Sequence, residues 1–266
     1  MKIGFIGTGN MGGALARAAA KGGHTLLLAN RTPAKAAALA KELGGTVCPN
    51  AEAAETAELL FLGVKPQGLP GLAGELAPVL QARRGNAPVV VSMATAVTLR
   101  ELDAMLGGGL PLIRIMPNTP AAVGAGTILY AAQNVTDAQL SAFRAVLAQA
   151  GLLLPLPEAQ IDAASAISGC GPAFCFQFAD ALALGGVRAG LSYPDACRLA
   201  AQTMLGAAEM LLQGGEAPDV LKMRVCSPAG TTIEGVLALE QGGFSYTVQN
   251  AVTAAYRRTV EMTRKG

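Results

Sequence analysis

Small hydroxyl side chains cluster in one stretch of the C-terminal half, from Ser227 to Glu234. A Ser-Pro turn is followed by a glycine and then by Thr231 and Thr232, which begin a predicted helix. Free backbone N–H groups and hydroxyls would then converge at one point, with the positive end of the helix dipole behind them. This chemistry suits a small carboxylate, and an ordinary helix N-cap with Pro228 in the first turn is about equally compatible with these residues.

A glycine-rich segment near the N-terminus has the spacing of a phosphate-binding loop. Gly7, Gly9 and Gly12 form a G-x-G-x-x-G pattern directly after a predicted strand and before a helical pattern that runs to Lys21. Glycines at these positions permit a tight turn, close approach of the backbone to a pyrophosphate, and close helix–strand packing. The pattern predicts dinucleotide contacts from the whole run: Gly7, Thr8, Gly9, Asn10, Met11 and Gly12.

Asn30, Arg31 and Thr32 follow the second predicted strand, where an NAD-binding protein usually carries an acidic residue. Arg31 offers a planar cation and Thr32 a hydroxyl for a 2′-phosphate. We therefore predict that NADP(H) is the preferred cofactor and that NAD(H) is a possible one. The alternative is that Arg31 is a solvated charge on a loop.

Two further motifs end predicted strands. Val64, Lys65 and Pro66 follow one strand, and Asn118 lies between two prolines after another. Because open α/β sheets bind ligands outside the carboxyl ends of their strands, we expect the first motif beside the cofactor and Asn118 near the nicotinamide. The alternatives are that Lys65 is a proton donor and that Asn118 forms a turn in a rigid loop.

The chain has one histidine, His24, in a glycine turn before the second predicted strand. This position argues against a histidine general acid, against Ser-His-Asp or Cys-His hydrolysis, and against a metal centre. Hydride transfer without a strong general base suits a substrate that arrives activated, such as a cyclic imine whose nitrogen takes a proton from solvent. The hydroxyl-rich stretch could orient such a substrate and hold its charged group.

Two sequence patterns meet near residue 156. Before it, short apolar runs alternate with Ala-rich helical segments, which predicts a mostly parallel, doubly wound α/β sheet of the Rossmann type. After it the strand pattern stops. We predict a dinucleotide-binding domain over 1–156 and an all-helical domain over 157–266. The predicted helices of the second domain cover residues 159–190, 193–213, 217–225, 230–240 and 245–264.

The amino-acid composition limits the kinds of binding partner that the chain can have. Hydrophobic residues make up 52% of the chain and charged residues 14%, so we expect part of the surface to be buried in a homo-oligomer. A net charge of +2 without a basic block, together with 4% aromatic residues, argues against nucleic-acid binding. We also expect no membrane span, because no uninterrupted apolar run approaches about 20 residues. Five cysteines without a C-x-x-C pair suggest reduced thiols in the cytoplasm.

Taken together, five motifs resemble those of the Δ1-pyrroline-5-carboxylate reductases, in the same order and over essentially the whole chain. They are residues 7–12, 64–67, 116–120, 168–173 and 227–234. The first is shared by many reductases, whereas the last is close to a family signature. The resemblance implies NAD(P)H-dependent reduction of 1-pyrroline-5-carboxylate to L-proline, the last step of proline biosynthesis. It also implies a Rossmann domain joined to a helical dimerisation domain, in which the helical domains of two subunits interlock to complete each active site.

The resemblance assigns roles to individual residues. Ser227 and the backbone around Gly230 and Thr231 would hold the substrate carboxylate, and Thr232 would hydrogen-bond the ring nitrogen. Residues after the third and fifth strands would line the cofactor groove: Asn50, Met93, Ala94 and Thr95.

Four positions depart from the family pattern. Cys170 stands where a second serine is usual between two glycines, and Ala229 stands where a glycine is usual after Ser-Pro. Thr95 and Ala96 stand where the family often has alanine followed by glycine. Each replacement is small. Cys170 is open to two interpretations, a reactive thiol or a buried filler at a close helix contact.

Two other functions fit parts of the pattern. A β-hydroxyacid dehydrogenase would have the same two-domain plan, but it needs a lysine early in the helical domain, and residues 158–190 contain none. An NADP-binding sensor without turnover would not require the pair Thr231 and Thr232.

Overall fold

The computed structural model describes residues 1–263, so the last three residues of the predicted second domain lie outside the described residues. The chain forms two compact units. The sheet unit consists of Met1–Cys170 together with the described residues from Ala255 onward, and the helical unit is Gly171–Ala254. The functional boundary near residue 156 stays a prediction.

The sheet unit contains one eight-stranded sheet in the order β3-β2-β1-β4-β5-β6-β7-β8. All neighbouring strands are parallel except β6 and β7, so the predicted mostly parallel α/β sheet is confirmed. The strands are β1 (Lys2–Ile6), β2 (Thr25–Ala29), β3 (Thr46–Val47), β4 (Leu59–Leu62), β5 (Val89–Ser92), β6 (Leu112–Pro117), β7 (Gly126–Gln133) and β8 (Gly151–Pro155).

Helices cover both faces of this sheet, as its largely apolar strands require. Phe5 and Phe61 stack on one face with ring centroids 4.6 Å apart, while Leu60 and Leu62 enter the core on the other face. The helices of the sheet unit are α1 (Asn10–Ala20), α2 (Pro33–Leu43), α3 (Asn50–Thr56), α4 (Leu69–Ala82), α5 (Leu99–Met105), α6 (Asp137–Leu147) and α7 (Glu158–Ser168).

The remaining helices are α8 (Gly171–Arg188), α9 (Tyr193–Gly214), α10 (Pro218–Val225), α11 (Thr231–Gln241) and α12 (Phe244–Thr263). The predicted all-helical half is confirmed, but the single helix expected over 159–190 is divided into α7 and α8 at Gly169 and Cys170. Ser192 caps α9 by accepting a hydrogen bond from the backbone N–H of Asp195. Gly215 ends that helix in the left-handed region, with φ of 63°.

One stretch among the described residues, Glu158–Arg188, is long and apolar enough to pass the test for a membrane-crossing helix. Its 31 residues have a mean hydropathy of 1.3 in the best window, of which only 6% is buried. The stretch is not an uninterrupted apolar run, because it contains Ser168, Gln177 and Asp180. The expectation of no membrane span therefore stays a prediction. Length and composition are weak evidence for a membrane, because a helix whose apolar face meets a second subunit has the same properties.

Arg114 in β6 connects the sheet to α7. Its side chain is 4% exposed, and its Nη2 donates to Asp162 Oδ1 at 2.5 Å. Its Nη1 lies 3.5 Å from Glu158 Oε1, which also accepts a hydrogen bond from the backbone N–H of Leu99 at 2.6 Å. One buried guanidinium therefore fixes the start of α7 and the start of α5 beside the same strand.

We expect the substitution Arg114→Ala to lower the free energy of unfolding by about 3 kcal/mol, because it leaves two partly buried carboxylates without their cation. Urea denaturation at a fixed protein concentration measures this loss. Arg17→Ala is the control, since Arg17 pairs with Glu42 in solvent and exposed pairs contribute little. Equal losses in the two variants would contradict the role given to Arg114.

Candidate active site

The sheet has its topological switch point at β1, which pairs with β2 on one side and β4 on the other. Loops from β1 and β4 leave this point side by side, at Gly7 and Gly63. Gly7 has φ of 100°, and a Cβ there would lie 2.5 Å from the carbonyl oxygen of Gly63. Gly63 in turn donates its N–H to the carbonyl of Ile6 at 2.7 Å. The two loops therefore approach as closely as backbones permit, and the crevice opens at the carboxyl ends of these strands.

The three glycines of the phosphate-loop pattern have different surroundings. A Cβ on Gly12 would collide with the carbonyl oxygen of Gly7, whereas a Cβ on Gly9 would meet nothing within 4 Å. Gly9 is the N-cap of α1, whose first turn has no side-chain cap and no acidic residue. Gly7 and Gly12 are thus required for packing, and Gly9 leaves open space in front of the free N–H groups of α1, which suits a phosphate.

Thr8 supplies a second sign of a ligand at this helix start. Its Oγ1 is buried and has no hydrogen-bond partner among the described residues. Its backbone N–H donates to Asn30 Oδ1 at 3.1 Å, and Asn30 Nδ2 donates to the carbonyl of Thr32 at 3.0 Å. A buried hydroxyl without a partner costs about 1–3 kcal/mol, and a dinucleotide diphosphate would supply its missing partner. The residues present therefore fit the predicted cofactor.

A cavity of about 650 Å³ lies at the switch point. Eight of the predicted cofactor residues line it: Gly7, Gly9, Asn30, Arg31, Thr32, Asn50, Val64 and Lys65. The other predicted cofactor residues are not among those that line it: Thr8, Asn10, Met11, Gly12, Pro66, Met93, Ala94, Thr95 and Asn118. Of these, Thr8 to Gly12 form the loop and helix start described above, and Pro66 begins the 3₁₀ turn after β4.

Met93 to Thr95 follow β5 and Asn118 follows β6, so both segments lie at the carboxyl edge of the sheet. The amide of Asn118 is engaged in the fold. Its Nδ2 donates to the carbonyl of Ser168 at 2.8 Å, and its Oδ1 accepts the N–H of Thr127 at 2.8 Å. Asn118 therefore ties its loop to β7 and to the end of α7, and its predicted place near the nicotinamide stays a prediction.

Sequence reasoning missed two charged residues of this cavity, Lys35 and Glu75. Lys35 lies four residues after Arg31, in the first turn of α2, and this spacing was a usable signal. Glu75 lies in α4, and its Oε2 accepts a hydrogen bond from Asn50 Nδ2 at 3.1 Å. Nothing in the sequence indicates that α4 would bring this carboxylate to Asn50.

The hydroxyl-rich stretch of the helical unit forms a turn and a helix start. Gly230 donates its N–H to the carbonyl of Ser227 at 3.0 Å, and Ala229 between them has φ of 55°. These features describe a type II turn with proline at its second position. A Cβ on Gly230 would collide with the hydroxyl of Ser227, so this hydroxyl lies against the glycine.

The start of α11 behind this turn has no side-chain cap, because its N-cap is Gly230. The ordinary N-cap interpretation would have used a hydroxyl of this stretch to cap the helix, and no such hydrogen bond forms. The N–H groups of Thr231 and Thr232 are therefore available to an external acceptor, as the first N–H groups of a helix are in general. Both threonine side chains are exposed.

Two alanines at the sites of family departures have left-handed backbones. Ala96, in the loop after β5, has φ of 61°, and Ala229 has φ of 55°. Among the described residues the other non-glycine residue with positive φ is Asn134, a residue type that tolerates this region. A left-handed backbone favours glycine, so the alanines at these two positions add local strain.

The structure shows the surroundings of two cysteines and of the histidine. Cys170 is a half-buried free thiol whose backbone N–H donates to the carbonyl of Ser165 at 3.2 Å. Burial raises the pKa of the Cys48 thiol, and the carboxylate of Glu52 raises it further. His24 precedes β2, at the edge of the sheet opposite the cavity. Within residues 1–263, no three His, Cys, Asp or Glu side chains form a group that could hold a metal ion.

Comparison with known proteins gives two family matches. Residues 158–262 match the family described as pyrroline-5-carboxylate reductase dimerisation, and residues 2–96 match the family described as NADP oxidoreductase, coenzyme F420-dependent. The pyrroline-5-carboxylate reductase of Pseudomonas aeruginosa is 38% identical over 267 residues, which cover 98% of this chain and 96% of that protein.

Two solved structures are similar along nearly their whole length. A pyrroline-5-carboxylate reductase from Coxiella burnetii has a TM-score of 0.89 and 31% identity, covering 97% of both chains. The Plasmodium falciparum pyrroline carboxylate reductase with NADP bound has a TM-score of 0.86 and 30% identity, covering 99% of this chain and 98% of that one.

The strain at Ala229 can be tested by comparing two alanine-to-glycine substitutions that should change the free energy of unfolding in opposite directions. We expect Ala229→Gly to raise the free energy of unfolding by about 0.5 kcal/mol, because relief of the left-handed strain exceeds the added entropy of the unfolded chain. Ala238→Gly in the exposed interior of α11 is the control, and we expect it to lose about 1 kcal/mol. Thermal unfolding of both variants measures the difference. Destabilisation by both would show that Ala229 carries no strain.

Proposed function

Since this chain belongs to the pyrroline-5-carboxylate reductase family, we propose that Ser227, Gly230, Thr231 and Thr232 form its substrate site. The protein is an NAD(P)-dependent oxidoreductase that reduces 1-pyrroline-5-carboxylate to L-proline, the final step of proline biosynthesis. The observation that carries the assignment is the uncapped start of α11 directly behind a hydroxyl-bearing type II turn.

The substrate carboxylate would bind to the backbone at the start of α11. The N–H of Gly230 is used within the turn, so Thr231 and Thr232 supply the free N–H donors. The hydroxyl of Ser227 adds a third donor from the other side of the turn. Donors at a helix N-terminus favour an anion both by hydrogen bonding and through the helix dipole.

Thr232 would orient the ring nitrogen. A threonine hydroxyl can donate to an unprotonated imine nitrogen or accept from its protonated N–H, so it can stay bonded while the nitrogen gains its proton. When bound, NADPH supplies the hydride that the imine carbon accepts. The chain's own contribution is to hold the carboxylate and the nitrogen so that the carbon faces its reductant in one orientation.

The protein uses NADP(H), and NAD(H) use is plausible in this family. We assign the diphosphate to the loop Gly7 to Gly12 at the start of α1, and the 2′-phosphate to Arg31 and Thr32. The remaining residues proposed to contact the cofactor are Asn30, Asn50, Val64, Lys65, Pro66, Met93, Ala94, Thr95 and Asn118. The open space at Gly9 and the unpaired Oγ1 of Thr8 support the diphosphate assignment.

The dimerisation family match supports a homo-oligomer. The finer organisation is our proposal: a cofactor domain over 1–156 and a substrate and dimerisation domain over 157–266, in a cytoplasmic enzyme without nucleic-acid or membrane partners. The start of the dimerisation match at residue 158 supports the boundary. Within the helical unit, a groove of about 520 Å³ lined by Phe174, Phe178, Leu239 and Phe244 is the surface that we assign to the second subunit.

We expect Thr232→Ala to lower kcat at least tenfold while the Kd for NADPH changes less than twofold, because it removes a hydrogen bond to the reacting nitrogen and nothing at the cofactor. Steady-state kinetics with 1-pyrroline-5-carboxylate and fluorescence titration with NADPH measure the two effects. Thr232→Ser keeps the hydroxyl and should recover most of the rate. Wild-type kcat in Thr232→Ala would remove Thr232 from the mechanism.

We expect Phe178→Glu to dissociate the oligomer, because it places a charge among apolar side chains that a second subunit would cover. Light scattering on a sizing column should show the mass of one chain, 26.8 kDa, at concentrations where the wild type is oligomeric. Phe178→Leu keeps the groove apolar and should leave the assembly intact. An unchanged mass for Phe178→Glu would place the interface elsewhere.

A further inference from the structure

The cavity carries two cations at one end. Arg31 follows β2 and Lys35 lies in the first turn of α2, and both line the cavity together with Thr32. The backbone N–H of Lys35 donates to the carbonyl of Thr32 at 3.0 Å, so the chain turns tightly between these two residues. The hydroxyl of Thr32, the N-cap of α2, makes no cap hydrogen bond.

Neither cation has a salt-bridge partner within residues 1–263. Glu42, the acid of α2, is held by Arg17 through hydrogen bonds of 2.6 and 2.7 Å. Glu75, the acid that lines the cavity, accepts the amide of Asn50. The positive charges of Arg31 and Lys35 are therefore not neutralised by an acidic side chain within residues 1–263.

The position of Lys35 is unfavourable unless an anion is present. The N-terminal turn of a helix is its positive end, where acidic side chains are stabilising and a lysine is not. The first turn of α2 contains no acidic residue that would offset this charge. An anion bound between Lys35, Arg31 and the helix start would turn an unfavourable arrangement into a favourable one.

We propose that Lys35 is a second cation for the 2′-phosphate of NADP(H) and, with Arg31, determines the preference for NADP(H) over NAD(H). The inference rests on the cofactor placement proposed above. Arg31 can meet a phosphate with two parallel hydrogen bonds, and Lys35 adds a point charge at a different angle. NAD(H) carries a hydroxyl in place of this phosphate, so it would leave both cations without a counter-charge.

The test compares ligands that differ by the 2′-phosphate. Titration calorimetry gives the Kd of NADPH, NADH, adenosine 2′,5′-bisphosphate and 5′-AMP for the full-length protein. For Lys35→Gln we expect Kd to rise about tenfold for NADPH and for the bisphosphate, and to stay within twofold for NADH and 5′-AMP. Lys41→Gln is the matched control, because Lys41 is an exposed lysine of the same helix that does not line the cavity. It should behave as wild type.

Binding of the same four ligands to Arg31→Ala shows whether a negative result concerns only Lys35 or the proposed position of the cofactor. If Arg31→Ala weakens the bisphosphate selectively and Lys35→Gln does not, Lys35 has no part in specificity and the placement stands. If neither variant changes bisphosphate binding, the 2′-phosphate lies elsewhere and the placement itself is wrong. A Lys35→Gln variant that binds NADH and NADPH with equally reduced affinity would also overturn the inference, since the loss would then be structural.

Discussion

The contact between two backbones at the switch point, Gly7 against Gly63, is the constraint on which the cofactor site depends. Because neither residue has a side chain, the loops after β1 and β4 can lie side by side and α1 can begin directly above the sheet edge. Any Cβ at Gly7 would push the β4 loop away, and a Cβ at Gly12 would lift α1 from the Gly7 carbonyl. The free N–H groups of α1 face the crevice only because these contacts are made.

The parts of the site that follow from local sequence were predictable. Strand-ending motifs such as Val64 to Pro66 reach the carboxyl edge of the sheet because parallel strands share that edge. The G-x-G-x-x-G spacing likewise predicted a phosphate loop, and the structure has open space in front of Gly9. Residues that depend on distant packing were not predictable. Glu75 meets Asn50 across two helices, and the break at Gly169 divides a pattern that reads as one continuous helix. The strain at Ala96 and Ala229 became evident only from their backbone angles.

The helical unit differs from the sheet unit in how it buries apolar surface. Among its described residues, the buried hydrophobic side chains are those of Ala183, Ala196 and Ala200. Larger side chains such as Phe176 and Leu205 are exposed in the single chain. A unit with so small a core buries little apolar surface within the single chain, which agrees with the homo-oligomer that the dimerisation family match supports. The same exposed apolar side chains contribute to the mean hydropathy of 1.3 in Glu158–Arg188.

Asn30 joins two parts of the cofactor site with one side chain. Its carbonyl oxygen holds the N–H of Thr8, and its amide nitrogen holds the carbonyl of Thr32. The segment to which we assign the 2′-phosphate is thus linked to the segment to which we assign the diphosphate. Under that assignment, a redesign that exchanges residues 31–35 to change nucleotide choice has to retain the amide at position 30, because the same amide also positions the loop that begins at Thr8.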